Sequence, residues 1–367
     1  MSYDFILAGC GNVGRAILRH LAQKYSVLVV DISAHGKILA EKYGADFKKK
    51  SALEIDGRVA DIAINALPGS IGYDFNRVAL NASMCVVDIS FHDHDPFLLE
   101  NICKKRNAVY VPDAGFAPGL SNMVAGHLYA KKPDEIVIRV GGIAEEDIPP
   151  LGLALTWSVE GLIDEYLRDA RARINGREVR IKPTEDVQHF EIPGVGMFEE
   201  FYTDGLRTML RTMDTPTLIE KTLRHKGHME KVRVLMEIGL IGRGCINLDG
   251  VEVERWRILK SLLEHSDAKS ARDLCIMHVM AKCVATEEAW KYLLVDRYDE
   301  KTGMSAMSRT TGYTCAIIAE HLLNKEWSES MPRAGVVPPE TFGMSNEIYD
   351  KMIRDLAKLD ILIRSIP

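Results

Sequence analysis

The feature that most constrains this chain is a glycine-rich turn set between an apolar run and a helical pattern. GCGNVG, residues Gly9 to Gly14, directly follows DFILA and directly precedes a helical stretch from Arg15 to Lys24. In such a turn the first glycine allows the sharp reversal, the second lets backbone approach a pyrophosphate, and the third permits close packing of helix on strand, while helix N–H groups face the phosphate. The same residues would also serve as plain turn glycines, with Asp31 as a helix cap. Context favours the ligand reading. The next run, SVLVVDI, carries Asp31, twenty positions beyond Gly11, where a carboxylate accepts both hydroxyls of an adenosine ribose. A carboxylate there repels a 2′-phosphate, so the pattern predicts NAD over NADP, softened by Ser33, His35 and Lys37 close by.

The turn sits in a longer alternation. DFILAG, SVLVVDI, VADIAINAL, MCVVDIS and AVYVPDA are short Val/Ile-rich runs separated by helical patterns. They read as parallel strands joined by right-handed crossovers, a Rossmann-type doubly wound α/β sheet. Ligands of such sheets lie outside the carboxyl ends of the strands. NALPGS (Asn65 to Ser70), with Leu67 and Pro68, and VVDISFHDHD, with Asp88, are therefore candidate cofactor contacts. His92, Asp93, His94 and Asp95 have the composition of a metal site. Alternating His and Asp in a loop is read instead as solvated, with Asp95 capping a helix led by Pro96, so no metal is expected. PDAGFAPGLSN (112 to 122) then stands between a last strand and a helix from Met123 to Tyr129. Its glycines, Gly115 among them, allow close approach, and Asp113 can accept hydrogen bonds. A stiff inter-domain turn is the plainer alternative.

Beyond Pro133 the spacing changes. EIVIRVGGI, ARINGREVRIK, DLCIMHVMAKCV, AWKYLLVDRYD and MSAMS suggest a largely antiparallel sheet, with Asn175-Gly176 as a hairpin turn and helices at Ser158 to Arg168, Asp204 to Arg211 and Glu252 to Glu264. SRTTGYTCAIIAEHLLN and SNEIYDKMIRDLAKLDILI are two further helices with apolar stripes. The expected organisation is a dinucleotide-binding domain over 1–132, an inserted α+β substrate and dimerisation domain over 133–307, and terminal helices over 308–367 packing back on the first.

Charge and cysteines narrow the function classes. The net charge of −6, with Lys and Arg scattered among acids, offers no basic field for nucleic acid. The longest apolar runs are too short to span a bilayer, and MSYDFILAG enters a strand directly, so a cytoplasmic protein without membrane partners is expected. Seven cysteines without a CxxC pair fit reduced thiols rather than disulfides or zinc ligands.

Three segments carry further candidates. In SRTTGYT, Arg309 beside a helix start capped by Thr310 or Thr311 would bind a carboxylate. LRHKGHMEK offers His225 and His228, and TWSVEGLIDEY offers Glu160 and Asp164 one turn apart. Either pair could supply a general base, because amine oxidation needs a neutral amine before hydride leaves. Solvent-exposed or structural roles are the alternatives at each.

GCGNVG, VVDISF, PDAGFAPGLSN, RVGGI, TWSVEGLIDEY, ARINGREV, DGLRTML, GHMEKVRVL and SRTTGYT together resemble, in order and over nearly the whole chain, the lysine 6-dehydrogenase branch of the saccharopine dehydrogenase-like superfamily. The resemblance implies a homodimer that oxidises the ε-amine of L-lysine with NAD to an aldehyde and ammonia. It implies that Gly9, Gly11, Asn12, Val13, Gly14 and Asp31 hold NAD, and that Leu67, Pro68, Asp88 and the Asp113 to Gly115 turn line the nicotinamide. It makes His228, Glu160, His225, Arg309 and Thr310 substrate-side residues, with Arg309 on the amino-acid carboxylate and His228 or Glu160 taking the amine proton. One departure stands out: where relatives have an aromatic residue and proline before the Gly-His pair, this chain has His225 and Lys226. A saccharopine reductase-type enzyme acting on a secondary amine is the alternative within the superfamily, and a non-catalytic NAD-binding regulator the alternative outside it.

Overall fold

A computed structural model describes residues 2–326 and 331–367. In chain order it gives β1 (Tyr3–Ala8), α1 (Asn12–Leu21), β2 (Val27–Asp31), α2 (Ala34–Tyr43), β3 (Asp46–Lys49), β4 (Ala60–Asn65), α3 (Gly69–Asn81), β5 (Cys85–Asp88), α4 (Glu100–Arg106), β6 (Val109–Val111) and α5 (Leu120–Tyr129). There follow β7 (Glu135–Ala144), α6 (Val159–Leu167), β8 (Ala170–Ile174), β9 (Arg177–Ile181), β10 (Gln188–Ile192), β11 (Gly196–Tyr202), α7 (Met209–Thr212), β12 (Thr217–His225), α8 (His228–Glu237), β13 (Cys245–Leu248), β14 (Val251–Glu254), α9 (Arg255–Glu264), β15 (Asp273–Lys282) and β16 (Ala289–Arg297). The chain closes with α10 (Ala306–Leu323), β17 (Gly335–Val336), α11 (Pro339–Met344), α12 (Asn346–Ala357) and β18 (Arg364–Ile366). These elements form two compact units, Met1–Lys131 with Met307–Ile363, and Lys132–Ala306 with Arg364–Pro367.

In the first unit the strands pair in the order β17-β6-β5-β4-β1-β2-β3, and every pair is parallel. The order 3-2-1-4-5-6 is that of a Rossmann sheet. Phe5 to Ala8 and Val27 to Val30 are almost wholly buried, which is why their runs are continuously apolar rather than alternating. β17, with no strand signal in the sequence, extends the sheet beyond β6 through Gly335 and Val336.

The second unit holds a mixed sheet along the path β10-β11-β12-β7-β15-β16-β18, with the β8–β9 hairpin attached through β12. β12 and β7 run parallel and the other pairs antiparallel. Asn175 and Gly176 turn the β8–β9 hairpin with positive φ at both residues, as a type I′ turn needs. Arg139 on β7 reaches across the sheet face, bonding Glu200 on β11 and bringing its guanidinium carbon 4.0 Å from the Phe190 ring on β10.

Several sequence expectations change. Asp204 to Arg211 is not one helix: Arg207 has positive φ, Asp204 is bound to Arg171 at 2.8 Å, and only Met209–Thr212 is helical. The helix expected from Glu252 begins at Arg255, because Val251–Glu254 pairs with Cys245–Leu248. MSAMS is not a strand; its last residues begin α10, so Thr310 and Thr311 lie inside that helix and do not cap it. The last helix stops at Ala357. Arg364–Ile366 joins the second unit's sheet against β16 instead of packing with the terminal helices on the first. Among the described residues no helix is long and apolar enough to cross a membrane.

Candidate functional site

The carboxyl edge of the first sheet is built around the β1–α1 turn. Gly9 has φ +87, and a Cβ there would lie 2.5 Å from the Ala66 carbonyl oxygen, so no other residue fits this approach to the β4–α3 turn. A Cβ on Gly14 would lie 2.4 Å from the Gly9 oxygen, which holds α1 tight on the turn, whereas one on Gly11 would meet nothing within 4 Å. The backbone is thus closed against protein at Gly9 and Gly14 and open at Gly11. No side chain caps α1 at Gly11, so the first-turn N–H groups are available to an anion. At the end of β2, Asp31 accepts the Cys10 N–H at 2.7 Å and the Ser33 N–H at 2.7 Å. Turn, helix start and carboxylate fit a dinucleotide: backbone for the pyrophosphate, Asp31 for the ribose. Asn12 and Val13 open α1.

Next along the edge lies a buried polar network. Asp88 is 0% exposed. One oxygen accepts from the Ser90 N–H at 2.7 Å and its hydroxyl at 2.6 Å, the other from Asn76 at 2.6 Å and Tyr110 at 3.0 Å. Asn76 Oδ1 in turn accepts from Asn65 Nδ2 at 2.8 Å, and Asn65 Oδ1 accepts the Leu67 N–H at 3.1 Å. Asp88 therefore bears on the Leu67–Pro68 turn through Asn76 and Asn65. His92 is not a solvated loop residue: it is 5% exposed, with Nε2 3.5 Å from the Tyr110 hydroxyl. His94 stacks on Tyr73 at 4.0 Å, and Asp95 accepts the Phe97 N–H at 3.0 Å. Among the described residues no group of three or more His, Cys, Asp or Glu side chains is placed to hold a metal.

Three motifs far apart in sequence converge here. In the 112–122 turn, Asp113 is 4% exposed with positive φ, and Asn122 Oδ1 accepts the Gly119 N–H at 3.0 Å. A Cβ on Gly115 would come within 3.2 Å of the Thr311 methyl, and one on Gly312 within 2.7 Å of Ala16 Cβ and 3.0 Å of the Val13 oxygen. α10 therefore touches both the Gly115 turn and the start of α1. Thr310 is 0% and Arg309 8% exposed, and Arg309 Nη2 donates to the Leu359 carbonyl at 3.5 Å.

The second unit holds the remaining candidates. Glu199 accepts the N–H groups of Gly227 at 2.6 Å and Met229 at 3.0 Å, fixing the start of α8. His228, 1% exposed, donates from Nδ1 to the Leu151 carbonyl at 2.8 Å, so its Nε2 accepts from the Tyr166 hydroxyl at 2.8 Å. Burial and then the Arg224 cation push its pKa down to about 3, so it is neutral. His225 is half-buried and donates from Nε2 to the Ala144 carbonyl at 2.8 Å, which leaves Nδ1 as the acceptor of its neutral ring. Glu160 is exposed in the first turn of α6, and Asp164 pairs with Arg168 at 3.4 Å. Sequence reasoning missed Arg224, 1% exposed, which pairs with Glu165 and lies 5.8 Å from the Trp157 ring centre. Glu165, Tyr166 and Trp157 all stand in TWSVEGLIDEY; Glu199 had no sequence signal.

Fold and strand-edge geometry together define a Rossmann-type α/β protein with a second, mixed-sheet unit. The chain belongs to the saccharopine dehydrogenase family: the model described as "Saccharopine dehydrogenase C-terminal domain" matches residues 115–361. It is 23% identical over 266 residues to the saccharopine dehydrogenase [NADP(+), L-glutamate-forming] of Schizosaccharomyces pombe, covering 65% of this chain and 58% of that protein. To the Saccharomyces cerevisiae protein of the same name it is 24% identical over 271 residues, covering 66% and 59%. The chain thus spans under two thirds of the length of these relatives. The structure of apo saccharopine dehydrogenase (L-Glu forming) from Saccharomyces cerevisiae aligns over 100% of both chains with a TM-score of 0.78 at 17% identity, a shared fold.

Proposed function

We propose that this protein is an NAD-dependent oxidoreductase acting on the carbon–nitrogen bond of an amino acid, with the ε-amine of L-lysine as substrate and a semialdehyde and ammonia as products. The observation that carries the cofactor half is Asp31, held by two backbone N–H groups at the end of β2 beside the Gly9 turn, where its charge disfavours a 2′-phosphate. Family membership and the motif resemblance support the substrate half. Gly9 to Gly14 hold the pyrophosphate by backbone, and the turns at Leu67–Pro68 and Asp113–Gly115 lie on the same edge. When bound, the nicotinamide supplies the hydride acceptor for oxidation of an amine-bearing carbon.

The protein's part is to make the amine neutral. His225 takes the proton on Nδ1, since its Nε2–H is committed to Ala144. His228 has both nitrogens bound within the protein and acts by fixing Tyr166 and the start of α8. Glu160 is the exposed alternative base. A homodimer in the cytoplasm is part of the same proposal.

A second reading rests on the relatives' printed names: oxidation or formation of a secondary amine with glutamate as the partner product. One assay separates them. NADH absorbance and ammonia release are followed with lysine, with saccharopine, and in reverse with the aldehyde plus glutamate. Lysine-dependent NADH with stoichiometric ammonia is the expected result. Turnover of saccharopine without ammonia establishes the second reading, and NADH binding without turnover leaves a dinucleotide sensor.

A further inference from the structure

The first turn of α2 contains a glycine that helix propensity does not favour. Gly36 is buried in the helix AHGKILAEKY, a place where alanine is better by about 0.5–1 kcal/mol. Its surroundings explain it. A Cβ on Gly36 would lie 2.8 Å from Asp31 Cβ, 3.0 Å from Cγ and 3.3 Å from Oδ2. The atoms in the way are the root of a short side chain, which cannot swing aside without moving the carboxylate or the end of β2. From the other side that carboxylate is pinned through both oxygens, by Cys10 N–H and Ser33 N–H, each at 2.7 Å. The Ser33 hydroxyl in turn accepts the Gly36 N–H at 3.2 Å, so the cap of α2 and the seat of Asp31 are one construction.

We infer that Gly36 is a specificity-determining residue: by leaving room for Asp31 it holds the carboxylate where the two hydroxyls of an unphosphorylated adenosine ribose meet it, and so excludes the 2′-phosphorylated dinucleotide. Each carboxylate oxygen spends one lone pair on backbone and keeps the rest for ligand. Because one of the pinning groups is Cys10 N–H, Asp31 also ties the end of β2 to the phosphate turn, and ribose acceptor and pyrophosphate cradle move as one body. The exposed neighbours Ser33, His35 and Lys37 would suit a 2′-phosphate only if the carboxylate were displaced, and with no Cβ at position 36 to crowd it the two N–H groups keep it in place.

This inference rests on the proposal that the first unit binds NAD, and the test keeps the two apart. NADH and NADPH are titrated by fluorescence into the full-length wild type, Gly36→Ala, Asp31→Ala and the double variant, each also followed by thermal unfolding. The wild type should prefer NADH. Gly36→Ala should weaken NADH about tenfold and NADPH much less, so that the preference collapses, while in the Asp31→Ala background the same substitution should add no more than about twofold. A Gly36→Ala protein that binds NADH like wild type overturns the inference alone. So does a loss shared equally by both dinucleotides that persists without Asp31, or unfolding equal in both backgrounds, because Gly36 would then be a packing residue. A wild type that prefers NADPH overturns the NAD reading and the inference together.

Discussion

Asp88 can remain a buried carboxylate because three side chains and one backbone N–H donate to it, and buried charge is tolerated only when so satisfied. Asn76 and Ser90 are parallel links, each donating to Asp88 and accepting from Asn65. Asn76→Leu should destabilise the first unit by about 1–3 kcal/mol, the range for stranding a buried polar partner, while NADH affinity should change little because Gly72 and Ser90 still orient Asn65 toward Leu67; urea denaturation and a fluorescence titration check the two effects. At this scale the sequence was partly legible. Gly9, Gly14 and Asp31 announced themselves because their roles are local, fixed by a turn and its flanking elements. Asp88 ends a strand, which is all the sequence says of it, and whether such a side chain faces ligand or interior depends on Asn65, Asn76 and Tyr110, which only the fold brings together. The two histidines three positions apart were equivalent on paper. The left-handed Gly227, with φ +82, turns the chain between them, leaving His225 at the end of a strand and His228 in the first turn of α8.

Elements were legible where burial is two-sided. β1, β2, β4 and β5 are mostly buried and show it as short apolar runs, FILA, VLVV, IAI and CVV, whereas β17 has two residues and no run to see. VEVE alternates, but its hairpin with β13 is exposed, so nothing in the pattern separates it from the following helix. Helix α10 was visible from its stripe, and its location follows from one residue. Gly312 lets it lie against Ala16 and the Val13 carbonyl of α1, so the Thr311 contact with the Gly115 turn depends on that close crossing. Gly312→Leu should push α10 off α1, lower stability by about 1–3 kcal/mol as overpacking does, and reduce NADH affinity because the uncapped start of α1 shifts with it. Gly312→Ala should show the same changes in smaller measure. Thermal unfolding and NADH titration on both variants provide the check, and a leucine variant that binds NADH normally would separate α10 from the dinucleotide edge.

At the scale of the whole molecule, buried groups with opposed proton affinities set how stability answers to pH, and the second unit holds a set of them that bear on each other's effect. Burial and then Arg224 hold His228 down to about 3; burial, then Arg139 and Lys291, hold His278 down to about 4. Each is neutral when folded and charged when unfolded below its ordinary 6.5, so their contribution is complete above pH 6.5 and is lost as pH falls. Glu220 is the reverse. Burial raises it to about 8, against hydrogen bonds from Thr203 and the Gly205 N–H, so its folded form keeps a proton that the unfolded chain releases above about 4.5, and its contribution is lost as pH rises to 8. Below pH 6.5 the two histidines offset Glu220. Above it they are silent, and the proton Glu220 retains should make stability fall by about 1.4 kcal/mol per pH unit, a fall that Glu165, also raised by burial, steepens. Glu220→Gln offers the same carbonyl acceptor to Thr203 and Gly205 without the titration, so it should remove its share of the fall and stabilise the second unit at pH 7.5 by on the order of 1–3 kcal/mol. Trp157, Trp256 and Trp290 lie in that unit and Trp327 in the other stretch of chain, so in a Trp327→Phe background urea midpoints read by tryptophan fluorescence from pH 5 to 8.5 follow the second unit. If Glu220→Gln keeps the wild-type slope above pH 6.5, the retained proton sits elsewhere.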